Sequence, residues 1–206
     1  LKSATDKFIS KNLKNWRSKS DGSLISGGEI TSPVMSDDIR YWKELKKVCE
    51  HLSKRKADTL HNAGGHIHIG ARVLGEDVEA WKCFLKLYTA YENVLFRFIY
   101  GDKISGRKKL FKYAPPTADL IYNRMSVISK ANSISDIHWN LQTNERYAAL
   151  NFCNVSFYNM ECIDGNTLEF RSPNATTNEV VWQNNINTLA KMLLSSRDKV
   201  MDEEFL

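Results

Sequence analysis

Apolar residues recur along this chain with two different periods, and the switch between them lays out the elements. Ile39, Trp42, Leu45, Cys49 and Leu52 return every three to four residues, which predicts an amphipathic helix over 38–53 with Ser36 or Asp37 as its N-cap. Val78, Trp81, Leu85, Tyr88, Tyr91, Leu95 and Phe98 fall on one stripe and predict the longest helix, 77–100. A helix over 117–130 follows "APPTAD". The last helix is carried by Val181, Trp182, Ile186, Leu189 and Leu193 and opened by "TTNE" at 176–179, read as a capping box. Before all of these comes a short amphipathic start (Phe8, Ile9, Leu13), then Trp16 at a strand edge and a turn at "SDGS", 20–23.

The other period is two. "GGEITSP" (27–33) and "HIHIGAR" (66–72) read as strands, and "DIHWNLQ", "YAALNFCNVSF" and "NTLEFRSP" as three successive ones, the last closed by Pro173. Trp16, Trp42, Trp81 and Trp182 suit core packing; Trp139, after His138 on a strand, is placed to line a pocket, but core packing suits it better. Strands interleaved with helices, then several strands in succession, predict an α+β fold with a largely antiparallel sheet and helices on one face. At 206 residues and 42% hydrophobic composition, one domain spanning 1–206 is expected.

Composition narrows the function classes. The longest apolar runs, such as "VLFRFIY" at 94–100, are too short and interrupted to cross a bilayer, and no basic-then-apolar leader opens the sequence, so a soluble, cytoplasmic protein is expected. Cys49, Cys83, Cys153 and Cys162 form no CxxC pair and read as reduced core thiols. The net charge of +5 is mild and concentrated in "SKRK" at 53–56 and "GRKKLFK" at 106–112. It favours anionic partners, phosphate-bearing small molecules as readily as nucleic acid.

Three strands carry residues able to do chemistry. His66 and His68 share a face in "AGGHIHIG" (63–70), Glu169 and Arg171 share one in "LEFRSP", and Glu29 lies in "GGEITSP". Each has a bland explanation: a solvated strand face for the histidines, a cross-strand pair for Glu169 and Arg171, an edge charge against aggregation for Glu29. Together they offer carboxylates and an imidazole for a divalent cation, beside a guanidinium that grips phosphate with two parallel hydrogen bonds. Glu92, among Tyr91, Val94 and Leu95, reads as an edge carboxylate satisfied by a lysine or solvent.

"DGSL" with "GGEITSP", then "AGGHIHIG", "ERYAALNF" and "TLEFRSPNATTN", in that order and separated by helices, resembles the amidoligase family. That family is a branch of the glutamine synthetase and γ-glutamylcysteine synthetase superfamily of carboxylate–amine ligases, and the resemblance runs over roughly residues 8–195. It implies a synthetase-like catalytic domain, with ATP and Mg²⁺ (or Mn²⁺), that joins a small-molecule or peptide carboxylate to an amine through an acyl phosphate. By the same resemblance His66 lies at the metal and the nucleotide phosphates, Glu169 binds that metal, and Glu29 belongs to the metal cluster nearer the amine. Arg171 faces the transferred phosphoryl group or the substrate carboxylate. Arg146, and more weakly Arg124, approach the nucleotide phosphates. His68 is a companion of open role, and Asp21 either positions the amine or only forms its turn.

The sequence departs from the superfamily at its start. The expected first strand carries a Glu-x-Glu acidic pair, and none precedes Ala4. The expectation is therefore a catalytic domain without that strand, or a relative that binds nucleotide or a partner without ligating. A further alternative is a nucleic-acid-binding accessory protein using the lysines at 103–112 with Phe111 or Tyr113 for stacking, against which one basic loop more often reads as a solvated connection. Nothing in the sequence sets the oligomeric state.

Overall fold

A computed structural model describes residues 2–22, 27–59, 63–100, 110–141, 146–156 and 166–200. Two compact units result: Leu1–Ala63 with Asn174–Asn184, and Gly64–Pro173 with Asn185–Leu206. The described elements are helices and antiparallel strands, as an α+β fold requires.

In the first unit, helix α1 (Lys2–Asn12) leads into a hairpin of β1 (Arg17–Ser20) and β2 (Gly28–Thr31), with Arg17 opposite Thr31. Helix α2 (Ile39–Lys54) follows. Ile9, Leu13, Trp16 and Val48 form the core, flanked by Phe8, Ile30, Leu45 and Leu52. Of the predicted stripe on α2, Leu45, Cys49 and Leu52 turn inward, joined by Val48, whereas Ile39 at the first turn is exposed. Its N-cap is Asp38 rather than Ser36 or Asp37, because the Asp38 carboxylate accepts the Arg40 N–H at 2.8 Å from an extended backbone.

In the second unit, β3 (Ile67–Gly70), β4 (Leu150–Asn151) and β5 (Thr167–Phe170) make an antiparallel sheet in the order β3-β5-β4. Helix α3 (Val78–Tyr100) lies against it: Phe170 meets Phe84 edge-on with ring centroids 6.5 Å apart, and Tyr88 at 6.3 Å. Trp81, Phe84, Tyr88 and Phe170 are all buried, each contributing about 1.5–3 kcal/mol through removal of apolar surface from water. Short α4 (Leu110–Tyr113), α5 (Ala118–Ile128) and α6 (Ile134–Leu141) follow, with α5 packed on α3 and on α6. Helix α7 (Glu179–Arg197) begins in the first unit and ends in the second. Because successive strand residues point to opposite faces, Leu168 and Phe170 enter the core and Glu169 faces away from it.

Several expectations are corrected. "DIHWNLQ" is not a strand but lies mostly in α6, where Ile134, Ile137 and Leu141 form the buried stripe. Ser133 opens this helix by accepting the Asp136 N–H, while the Asp136 carboxylate accepts the Asn132 N–H, both at 3.1 Å. Trp139 consequently sits 76% exposed instead of in the core. Among its described residues, "YAALNFCNVSF" is a strand only at Leu150–Asn151, since the Asn151 side-chain oxygen takes the Cys153 N–H and a turn follows at 152–155. "TTNE" is not the capping box of α7: Asn178 caps it, accepting the Val180 N–H at 2.9 Å. Cys49 and Cys83 are buried thiols, Cys153 is an exposed one, and Cys162 lies outside the described residues. The described strands form two sheets, one in each unit. Among the described residues, no helix is long and apolar enough to cross a membrane.

Candidate active site

The site grows out of β5, the central strand of the second unit. Its register places His68 opposite Glu169 on one side and Asn151 opposite Glu169 on the other. Residues facing each other across paired strands touch, so the central carboxylate is flanked by an imidazole and an amide. Continuing the β3–β5 register by one residue brings His66 level with Arg171, and the chain is pinned just beyond by the Gly65 N–H donating to the Pro173 carbonyl at 2.8 Å.

Glu169 is only 6% exposed and is surrounded by donors. Its Oε1 receives the Arg171 Nη1 at 2.6 Å and lies 3.1 Å from His66 Nδ1; its Oε2 accepts the Asn151 amide at 3.0 Å. His68 is held differently. Its Nδ1 lies 3.0 Å from the Thr167 hydroxyl, while its Nε2 stays 3.8 Å from Glu169 Oε1, beyond hydrogen-bond reach. The histidine pair is therefore split: His66 engages the carboxylate directly and His68 stands beside it.

Arg171, buried to a similar degree, is fixed from two directions. Its Nε donates to the Tyr113 carbonyl at 3.1 Å while Nη1 grips Glu169. A guanidinium held at two corners is preorganised, and its Nη2 edge carries no hydrogen bond to a described residue. Tyr147 lies under it, with the guanidinium carbon 5.7 Å from the ring centroid, and Arg146 approaches the same ring at 5.9 Å. Asn151 joins the halves by donating to both Glu169 and the Arg146 carbonyl, the latter at 2.9 Å.

The remaining expected residues belong to other elements. Arg124 on α5 donates to the Asn140 carbonyl on α6 at 3.5 Å, a link between helices. Glu29 belongs to the first unit, where it pairs with Lys19 at 3.2 Å across the hairpin. Asp21 lies at that hairpin's turn, also in the first unit. The first unit holds a recess of about 460 Å³ lined by Asp6, Trp16, Arg17 and Lys19 among others, but Asp6 there is already committed to Ser18 and Lys2.

Among the described residues, no group of three or more His, Cys, Asp and Glu side chains is arranged to hold a metal ion. At Glu169 the reason is visible. A cation on Oε1 would have to displace or share the oxygen with a guanidinium 2.6 Å away. As they stand, these donors do not fit a divalent ion.

Three residues here escape a reading by type alone. Asn151 is 2% exposed and carries three hydrogen bonds; its signal is the alternation Leu150, Asn151, Phe152, which turns it away from the core. Tyr147 and Tyr113 have no such signal, because their contacts come from segments far apart in sequence.

A buried carboxylate orders a guanidinium and an imidazole, with a second guanidinium alongside, and guanidiniums are the groups that carboxylates and phosphates pair with. The family comparison names the class more closely. The chain belongs to the amidoligase family: the model described as "Putative amidoligase enzyme" matches residues 2–193. Its family is thus one of ligase-type enzymes. No curated protein and no solved structure matches the chain.

Proposed function

We propose that this chain is an ATP-dependent carboxylate–amine ligase that makes an amide or peptide-type bond through an acyl phosphate. The observation that carries the reading is the ordered Arg171–Glu169–His66 set on β5 and the start of β3. A substrate carboxylate oxygen attacks the terminal phosphorus of ATP, the bond to ADP breaks, and an acyl phosphate forms. An amine nitrogen then attacks the acyl carbon, phosphate leaves with the C–O electron pair, and the ammonium's surplus protons pass to base and solvent.

Arg171, fixed before substrate arrives, neutralises charge on the transferred phosphoryl group or the carboxylate it joins. Arg146 supplies the second guanidinium towards the nucleotide phosphates. Glu169 holds both Arg171 and the His66 ring in place. Mg²⁺ or Mn²⁺ is proposed as the counter-ion that ATP brings with it, since Mg²⁺ commonly rests on substrate phosphates. Recruiting Glu169 with His66 as direct ligands would require Arg171 to release its carboxylate. Substrates are small-molecule or peptide carboxylates and amines, handled in the cytoplasm. We extend this reading to one amidoligase-like domain over 1–206, supported by the family match to residues 2–193.

The test is ADP release, with hydroxylamine trapping of the acyl phosphate, across a panel of carboxylates and amines. Turnover is expected to need both substrates and to vanish in His66→Ala and Glu169→Ala. Unchanged turnover in both variants would sink the assignment. ATP binding without ADP release would identify a non-ligating relative instead.

A further inference from the structure

Tyr113 and Tyr147 meet edge to face, with ring centroids 5.5 Å apart, on the Arg171 side of the site. Three cations rest on this pair: Lys112 Nζ lies 5.5 Å from the Tyr113 centroid, and the Arg146 and Arg171 guanidinium carbons lie 5.9 and 5.7 Å from that of Tyr147. Only Arg171 has a carboxylate partner among the described residues, namely Glu169. The pair of rings therefore carries three positive charges, one of them paired with Glu169.

Like charges so placed repel, and the negative faces of two aromatic rings offset part of that repulsion. With two of the three cations lacking a carboxylate partner among the described residues, a polyanion is the ligand whose charge suits them. We infer that Tyr113 and Tyr147 form the platform of a three-cation phosphate cradle, in which Lys112 joins Arg146 and Arg171 on a polyphosphate chain. The inference rests on the proposed use of ATP but adds to it one binding residue, Lys112, and two positioning residues, the tyrosines. Tyr147 suits the task because it is 44% exposed, so one part of the ring supports the guanidiniums while another faces solvent. Lys112 reaches the site because α4 ends at Tyr113, whose own carbonyl holds Arg171.

The probe is inorganic tripolyphosphate, which carries the phosphate chain without base or sugar, titrated calorimetrically into the whole chain. Wild type is expected to bind it at one saturable site. Tyr147→Phe keeps the ring and stays within about twofold, whereas Tyr147→Leu keeps most of the volume, loses the π face and weakens binding about tenfold. Lys112→Gln weakens binding about fivefold and makes it less sensitive to salt, because one charge contact is gone. A purely packing role for Tyr147 would leave leucine and phenylalanine equivalent. Melting curves check that each variant folds, and Lys112, exposed on a four-residue helix, gives a readout even if Tyr147→Leu does not.

Wild-type affinity in both Tyr147→Leu and Lys112→Gln would overturn the cradle while leaving the ligase reading intact, provided Arg171→Lys still weakens binding. No binding by wild type would overturn the cradle and the phosphate-handling reading together.

Discussion

Glu92 and Glu169 belong to the same unit and are buried to nearly the same degree, at 2% and 6% exposure, but opposite kinds of partner hold them. Glu92, on α3, accepts the Thr117 and Ala118 amides at 2.7 and 2.8 Å and the Tyr88 hydroxyl at 2.9 Å. Those amides open α5, where unpaired N–H groups attract a carboxylate, and Thr117 in turn accepts the Leu150 N–H. Glu169 is held almost wholly by side chains: a guanidinium, an imidazole and an amide from three segments. Backbone amides cannot leave without unfolding the helix they start. Side chains can change partner within an intact fold, and a reacting group needs that freedom. The same carboxylate chemistry therefore serves as a joint of the fold in one place and as the hub of the proposed site in the other.

Alanine at each position breaks the comparison most forcefully. Glu92→Ala strands two amides and a hydroxyl, each costing about 1–3 kcal/mol when left buried without a partner, so a loss of about 3 kcal/mol or more is expected. Urea denaturation measures it, and turnover per folded molecule should stay near wild type. Glu169→Ala should show the reverse ranking, with activity abolished and a folded protein recoverable at moderate temperature. If Glu92→Ala proved as stable as wild type, the buried joint would not be one.

Arg171→Lys tests the other half at smaller amplitude. A lysine ammonium is one point of charge on a flexible stem and cannot hold Glu169 and the Tyr113 carbonyl as the guanidinium does. Losing one preorganised donor set of this kind lowers kcat by about 10²-fold. Steady-state kinetics should place the effect in kcat more than in KM, with the melting temperature little changed.

The two carboxylates also mark what a sequence can tell. Glu169 and Arg171 were readable because strand alternation puts them on one face, and the His66–His68 pair because the same rule applies two strands away. Helices α2, α3 and α7 were readable from apolar residues recurring every three to four positions, although Ile39 on α2, Tyr91 and Phe98 on α3 and Val181 on α7 lie exposed. Alternation misled at 136–142, where Ile137, Trp139 and Leu141 fit a strand, although Ile134, Ile137 and Leu141 equally fit a helix opened by Ser133 and Asp136. Only packing decides between such patterns. Glu92 could be seen as out of place among apolar neighbours, but its amide partners lie 25 and 26 residues on, and no local rule connects them. Tyr147 under two arginines was hidden for the same reason.

The subtlest expectation concerns the response of Glu92 to pH. Burial, the largest influence, pushes the Glu92 carboxyl above its ordinary value, with Asp119 adding to the rise, while the Thr117 and Ala118 amides and the Tyr88 hydroxyl oppose it. A carboxyl whose folded-state pKa is raised contributes its full stabilisation at pH below the ordinary glutamate value, and loses it as pH climbs through the raised one. Glutamine at this position does not titrate, so the stability difference between wild type and Glu92→Gln isolates this group. Wild type should hold its greatest advantage in acid, and that advantage should shrink towards neutral pH. Urea midpoints for both proteins, taken at intervals across that range, measure the trend. A difference that stayed flat or grew with pH would mean that the Thr117 and Ala118 amides, not burial, govern the ionisation of Glu92.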